Sequence, residues 1–261
     1  MKKLENLREW FIILQIRKNP LYVEFIEFNL YEKENKKNND YIRNYDQESS
    51  NRSKNKIIEY ALNNNWNYFV TITIDKKLHN RTNYKELTKR LRKYLNNYKN
   101  RYDHNFKYIL IYEPHKKKEI NGKNAIHYHG LFYIENENYF NLKFKKRKGK
   151  ALIYQSLKIR DLYGINNFTL IYNNGEFLSY YISKYITKNI NKSIILSKRY
   201  FNSTGLNGYI KDITSGSVEN RFLDLGLKAD YKNKFVKKYR FTYEEYNDLK
   251  KYLYKDIDDL L

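Results

Sequence analysis

The 261-residue sequence contains no cysteine. This excludes disulfide bonds, cysteine-based zinc sites and thiol chemistry, and it suits the reducing cytoplasm. No apolar run approaches ~18 residues, so we expect no helix that spans a membrane. The basic beginning is interrupted by Glu5, Arg8, Glu9 and Arg17, so we expect no signal peptide. Together these absences predict a cytoplasmic protein that has no membrane partner.

Acidic residues are scarce relative to basic ones. Lys and Arg number 51 against 29 Asp and Glu, which gives a formal net charge of +22. A field of this sign attracts polyanions, and nucleic acid is the expected partner because bound phosphates release counterions. The alternative is an AT-rich genome, whose codons enrich Lys, Asn, Ile and Tyr and would account for the 29 tyrosines. The same codons also encode Asp and Glu, so codon bias does not explain the excess of bases.

The spacing of apolar residues predicts a mixed α/β core that begins near Ile57. Aromatic and β-branched runs predict strands, and Leu87, Leu91 and Leu95 form one stripe of a helix that Asn83 is expected to cap. The predicted strands are 21–30, 67–75, 106–113, 125–134 and 167–173, and the predicted helices are 83–102, 175–192 and 242–260.

Composition divides the chain into three parts. Residues 31–56 are polar and poor in apolar anchors, which is typical of a linker or a mobile loop. The dense pattern that follows indicates one substantial domain, and the last fifty residues carry more charge. We therefore predict an N-terminal extension with a polar linker (1–56), a central domain (57–210) and a basic, helical C-terminal extension (211–261).

Two of the five histidines stand two residues apart in the predicted strand 125–134. Side chains alternate along a strand, so His127 and His129 share one face with their Cα atoms ~6.6 Å apart. Glu113, the only acidic residue of the preceding strand, can join them on that face if a short turn makes the two strands antiparallel. Two imidazoles and a carboxylate suit a divalent ion that keeps positions open for water and a substrate oxygen. A hydrogen-bonded histidine pair without metal is the alternative, and His115 is a rival ligand.

The predicted helix 175–192 contains the run SYYISKYITK (179–188). At about 100° per residue, Tyr181 and Tyr185 lie one turn apart, and Lys184 and Lys188 fall within the same arc. A tyrosine hydroxyl can attack a phosphodiester, although its pKa near 10 makes it a weak nucleophile without a metal ion or a lysine. Taken alone, the run is equally compatible with an amphipathic helix that has half-buried tyrosines and solvated lysines.

Three motifs in a fixed order give these residues a context. They are an apolar strand, FVTITI (69–74), a His-hydrophobe-His strand, HYHGLF (127–132), and a Tyr-x-x-Lys helix, YISK (181–184). In order and spacing the chain resembles the HUH endonucleases, the replication initiator (Rep) proteins of rolling-circle replication. The resemblance covers roughly residues 65–190. The pair Tyr181 and Tyr185 resembles the two-tyrosine initiators of single-stranded DNA phages of the microvirus kind.

The resemblance implies an α+β fold, with a central antiparallel β-sheet flanked by helices, within residues 57–210. It also implies that His127 and His129 bind Mg²⁺ or Mn²⁺, with Glu113 as the third ligand. The implied activity is a metal-dependent nicking and joining of single-stranded DNA at a replication origin.

The resemblance further implies roles for the tyrosine helix. Tyr181 would cut the origin, keep the 5′-phosphate as a phosphotyrosine and free a 3′-OH that primes a host polymerase. Tyr185 would perform a second transesterification, and Lys184 and Lys188 would assist. No P-loop of the form G-x-x-x-x-G-K-[ST] is present, so unwinding would require a host helicase.

Two other functions remain open from the sequence. One is a non-enzymatic single-stranded nucleic-acid-binding protein, in which aromatic side chains stack on bases and the paired histidines are structural. The other is a tyrosine transposase or relaxase, which would keep the fold and change the reaction's purpose.

Overall fold

The computed structural model describes residues 12–29, 45–118, 124–172, 200–215, 219–232 and 236–253. The described residues divide into two compact units. The central unit lies within residues 44–207, and the terminal unit combines residues before 44 with residues after 207. No helix among the described residues is both long and apolar enough to cross a membrane.

The central unit is built on a seven-stranded sheet in which every described pairing is antiparallel. The strand order across it is β6-β7-β8-β3-β5-β4-β9. The strands are β3 (Tyr68–Thr73), β4 (Lys107–Lys118), β5 (Asn124–Tyr133), β6 (Leu142–Lys148), β7 (Ala151–Ser156), β8 (Asn166–Leu170) and β9 (Tyr200–Asn202).

A helix packs on each face of this sheet. Helix α2 (Tyr84–Arg101) turns Leu87, Leu91 and Leu95 onto one face, as the leucine stripe predicts, and the Asn83 side chain accepts a hydrogen bond from the Glu86 amide. Helix α1 (Tyr45–Leu62) packs on the other face. The expected α+β architecture, a central antiparallel sheet flanked by helices, is confirmed.

Helix α1 differs from the predicted polar linker over 31–56, because it occupies the second part of that range. Its early residues are polar, but Ile57 and Ala61 near its end are buried against Ile109, Ile111 and Leu131 of the sheet. The apolar anchors therefore come late in the helix, and tertiary packing stabilises a segment that has a weak pattern of its own.

A hairpin and a short helix follow β5, where the sequence pattern predicts no element. Strands β6 and β7 form the hairpin, and helix α3 (Leu157–Tyr163) follows directly. The Ser156 side chain caps α3 by accepting a hydrogen bond from the Ile159 amide at 3.2 Å. Gly164 ends the helix with φ of +124°, and a Cβ there would lie 2.6 Å from backbone atoms of Thr73 and Asp75.

The terminal unit joins the two ends of the chain in one five-stranded sheet, ordered β10-β1-β2-β12-β11. Phe25, Phe222, Tyr239 and Phe241 lie in its apolar core. The predicted extensions 1–56 and 211–261 therefore share a sheet, while the domain limits themselves stay predictions. The elements are β1 (Ile12–Lys18), β2 (Val23–Asn29), β10 (Ile210–Ser215), β11 (Tyr231–Lys232), β12 (Val236–Phe241), α4 (Glu219–Asp224) and α5 (Tyr243–Leu253).

Candidate functional site

The candidate site lies where strands β3, β5 and β4 run side by side. Glu113 of β4 and Thr73 of β3 are each directly opposite His127, and Thr71 is directly opposite His129. Directly opposed residues of an antiparallel pair share a face. Both histidines, Glu113 and the two threonines therefore occupy one face of the sheet.

The apolar alternation of β5 explains why the histidines point to this face. Ile126, Tyr128 and Phe132 are buried in the core beneath α2 on the opposite face. Because the side-chain period of a strand is two, their burial directs His127 and His129 towards the α1 face.

The imidazole of His129 has a partner at each ring nitrogen. Its Nε2 lies 3.1 Å from Oε2 of Glu113, and its Nδ1 lies 3.1 Å from Oγ1 of Thr71. The Phe69 ring stacks on the imidazole at 6.3 Å with an interplanar angle of 18°. When Nδ1 carries the proton and donates it to Thr71, the lone pair of Nε2 faces the Glu113 carboxylate and is available to a cation.

His127 completes the group of possible donors. Its ring centroid lies 5.5 Å from that of His129, with the planes inclined at 53°. It is half-buried, whereas only 9% of His129 is exposed. Two imidazole nitrogens and one carboxylate are thus gathered at one point of the sheet.

The chemistry of these donors fits a divalent cation, since imidazole and carboxylate ligands both bind Mn²⁺ and related ions. Across the parts of the chain that the structure describes, no three His, Cys, Asp or Glu side chains are already arranged to hold an ion. Glu113 and His129 contact each other, and His127 stands beside them. Metal binding by the three residues stays a prediction.

Tyr128, between the two histidines, is unsuited to be a nucleophile. It is fully buried, and its hydroxyl lies 3.0 Å from Oγ1 of Thr88 on α2. Burial raises the pKa of Tyr128 well above that of an ordinary tyrosine, although the Thr88 hydrogen bond opposes the shift. Burial likewise raises the pKa of Tyr108 to about 12. A phenol that resists ionisation and points away from the histidines cannot attack a substrate bound at them.

Residues 67–190 match the model of a family described as the replication-associated protein ORF2. The match supports a replication initiator of the Rep type, with a role in DNA replication, and it implies DNA binding. No curated protein and no solved structure matches the chain.

The Rep-type match spans all three sequence motifs, including the tyrosine helix. Tyr181, Lys184, Tyr185 and Lys188 lie outside the described residues, so their predicted roles stay predictions. The rival ligand His115 belongs to β4, and the orientation of its side chain is likewise outside the described part.

The remaining two histidines lie away from the site. His104 is exposed, as expected for a surface residue. His79 is half-buried, stacks on Tyr163 and has its Nε2 2.7 Å from the carbonyl oxygen of Leu162. The expectation of a surface position for His79 is therefore only partly correct.

The sequence did not single out Thr71 or Phe69 as neighbours of His129. Their signal was available in the first motif, because the alternation of FVTITI puts Phe69 and Thr71 on one face. Their contact with His129 depends on the pairing of β3 with β5, which the sequence does not specify.

Proposed function

We propose that this protein is an HUH endonuclease that nicks and rejoins single-stranded DNA at an origin of rolling-circle replication. One observation carries the proposal. The pair Glu113–His129, with His127 beside it, lies on one sheet face inside the segment that matches a replication-associated family. A protein that only binds DNA does not require this group of metal-ligand side chains.

In this proposal His127, His129 and Glu113 hold Mg²⁺ or Mn²⁺. The ion, when bound, polarises the phosphodiester that is to be cut. Thr71 orients the His129 ring through Nδ1, and Phe69 packs against its plane. The two neighbours keep Nε2 directed at Glu113, which reduces the cost of ordering the ligand set.

The nucleophile of the proposed reaction is Tyr181, with Tyr185 as the second. The phenol oxygen forms a bond to phosphorus, the bond from phosphorus to the 3′ oxygen breaks, and the phenolic proton ends on the released 3′-OH. The 5′-phosphate stays on tyrosine. Attack of a 3′-OH on this phosphotyrosine reverses the balance and rejoins a strand. Lys184 and Lys188 stabilise negative charge that develops on the phenolate and the phosphate.

The released 3′-OH would serve a host polymerase as primer, and a host helicase would unwind the duplex because the chain has no P-loop. Two tyrosines that act in turn would allow continuous rounds of copying, as in the phage initiators of the microvirus kind that the motif resembles.

The direct test is a covalent adduct. Protein, Mn²⁺ and labelled single-stranded origin DNA are incubated, and an adduct that survives boiling in detergent is sought on a denaturing gel. We expect Tyr181→Phe and Tyr185→Phe together to abolish it. Tyr180→Phe is the matched control and should leave the adduct unchanged, because Ser183 and not lysine stands three residues after Tyr180.

The outcomes separate the candidate functions. Loss with Tyr181→Phe alone indicates a one-tyrosine enzyme. Tight binding without any adduct on DNA from the protein's own replicon would overturn the proposal in favour of a binding protein. An adduct that forms on the ends of a mobile element and not on an origin would indicate a transposase or relaxase.

A further inference from the structure

The β6–β7 hairpin forms one edge of the central sheet and is the most concentrated basic surface of the described chain. Every residue of 143–150 is exposed, and six of these eight residues are lysine or arginine. No Asp or Glu occurs between Glu137 and Asp161 to neutralise them. A charged edge strand also protects a sheet from pairing with other chains, so the charge alone does not define a function.

A β-bulge directs these cations towards the face that carries the candidate site. Lys143 pairs with Gln155, and the register then shifts between Phe144 and Lys146. After the shift Lys146 pairs with Ile153, which in turn pairs with Thr169 on the site face of β8. Bulges re-aim side chains at sheet edges and beside active sites. Without the shift, Arg147 would take the site face in place of its two neighbours.

Four lysines share the site face as a result. Lys143 and Lys146 lie there by register, and Lys148 follows from its pairing with Ala151. Lys145, the bulged residue, reaches across β7 and donates a hydrogen bond from Nζ to Oδ1 of Asn167 at 2.9 Å.

Lys145 connects this surface to the histidines. Asn167 is directly opposite Thr71, and Thr71 contacts His129. Because neighbouring strands lie ~4.8 Å apart, β8 is about 10 Å from β5, and the β6 edge is about 19 Å from it. An ammonium group therefore stands within a few nucleotides of the site, and further ammonium groups continue outward along the same face.

We propose that the site face of the β6–β7 hairpin holds the DNA strand that enters the histidine site. The proposal rests on the proposed function, and names where its single-stranded substrate runs. Lys145 contacts a backbone phosphate close to the scissile one, and Lys143, Lys146 and Lys148 contact phosphates further along. Contacts of this kind set position and affinity without reading sequence.

Helix α2 offers a matched control on the opposite face of the sheet. Four exposed cations, Lys85, Lys89, Arg92 and Lys93, line a groove of roughly 560 Å³ there together with Tyr200 and Phe201. Removing these four charges changes the net charge of the chain as much as removing the four hairpin lysines does. A general electrostatic effect would therefore be equal in the two variants.

The test compares two fourfold variants in which every cation of one set is replaced by Gln. Binding of a labelled single-stranded oligonucleotide is measured by fluorescence anisotropy in EDTA over a range of salt concentrations. We expect the hairpin variant to bind at least ~10-fold more weakly, and its plot of log K against log salt to flatten by up to about 3, since each lost phosphate contact contributes ~0.7 for single strands. The α2 variant should stay within about threefold of the unmodified protein. Lys145→Gln alone should flatten the slope by ~0.7.

Equal losses in the two fourfold variants, or a loss only in the α2 variant, would overturn the assignment. Thermal unfolding within a few degrees of the unmodified protein shows that each variant folds. Binding in EDTA does not depend on cleavage, so the two proposals fail separately. If no adduct forms but the hairpin variant still loses affinity, only the nicking function is lost. If adducts form and the hairpin variant binds and reacts normally, only the path of the strand is wrong.

Discussion

The terminal and central units are both built on antiparallel sheets, yet they differ sharply in charge. The terminal unit has 20 Lys and Arg against 17 Asp and Glu in 97 residues, a net charge of +3. The central unit has 31 against 12 in 164 residues, a net charge of +19. Nearly all the charge of the chain therefore belongs to the unit that carries the family match.

The difference arises from acidic residues. About one residue in five is basic in either unit, whereas Asp and Glu are more than twice as frequent in the terminal unit. An AT-rich genome would affect both units alike and accounts well for the equal lysine content. It does not account for the scarcity of acids in one unit only. A surface that must approach phosphates does account for it, because each carboxylate removed lowers the repulsion of a polyanion.

The buried carboxylates of the two units are also paired differently. In the terminal unit Glu24 contacts Arg240 at 3.1 Å, so a permanent cation neutralises it. In the central unit Glu113 contacts His129, whose imidazole is neutral over much of the physiological pH range. The first arrangement is complete by itself, while the second can accept a divalent cation.

The largest expected effect distinguishes these two carboxylate sites. Replacing His127 and His129 together by Ala should reduce adduct formation by at least about 1,000-fold, more than the ~10–100-fold that loss of an outer partner costs. Binding of single-stranded DNA in EDTA should stay within about threefold, because phosphate contacts dominate affinity.

Glu24→Gln in the terminal unit is the control for the histidine change, and it should leave adduct formation within about twofold. If binding collapsed together with cleavage in the histidine variant, the pair would be a structural element of the central sheet.

A second comparison concerns glycine. Gly130 lies in the middle of β5, and a Cβ there would stand 1.9 Å from the carbonyl oxygen of Ile109 on β4. Gly226 of the terminal unit has open space around it but a φ of +71°. We expect Gly130→Ala to cost roughly 3 kcal/mol or more of unfolding free energy, because backbone must move, and Gly226→Ala only about 1 kcal/mol.

Urea unfolding followed by circular dichroism measures both glycine variants. In a Trp10→Phe background, the fluorescence of the buried Trp66 assigns the transition to the central unit. Equal costs at the two positions would mean that β4 and β5 do not approach as closely as the register requires.

A smaller effect is expected from Thr71, which positions His129 without being a ligand. Thr71→Val keeps the shape of the side chain and removes the hydroxyl that contacts Nδ1. Affinity for Mn²⁺, measured by calorimetry in the absence of DNA, should fall by about 10-fold. Thr169→Val, on the same face of β8, is the control and should leave the affinity unchanged. An unchanged affinity in the Thr71 variant would show that Phe69 and Glu113 suffice to hold the ring.

The site was predictable where one strand or one hairpin contains the whole pattern. The common face of His127 and His129 follows from the period of a strand, and the short turn after β4 brings Glu113 beside them. The contact of Thr71 was not predictable, because it requires the register between β3 and β5, two strands separated by helix α2 and β4.

The elements that escaped prediction share a physical cause. Strand β6 has charges on both faces, so it lacks the alternation that marks a half-buried strand. Helix α1 gains its stability from apolar residues near its end. The terminal sheet pairs β1 with β10, across almost the whole chain, and no local pattern encodes such a pairing.

The smallest expected effect is the sharpest test of the charge comparison. Lys228, Lys232 and Lys237 of the terminal unit can be replaced by Gln and compared with Lys143, Lys146 and Lys148 of the hairpin, because each set removes three positive charges. The terminal variant should bind single-stranded DNA within about twofold of the unmodified protein and keep its salt slope, since nearby acids already cancel the field of this unit. The measurement is anisotropy in EDTA at several salt concentrations. A flattened slope in the terminal variant would mean that DNA contacts both units. The scarcity of acids in the central unit would then no longer mark the DNA-binding surface.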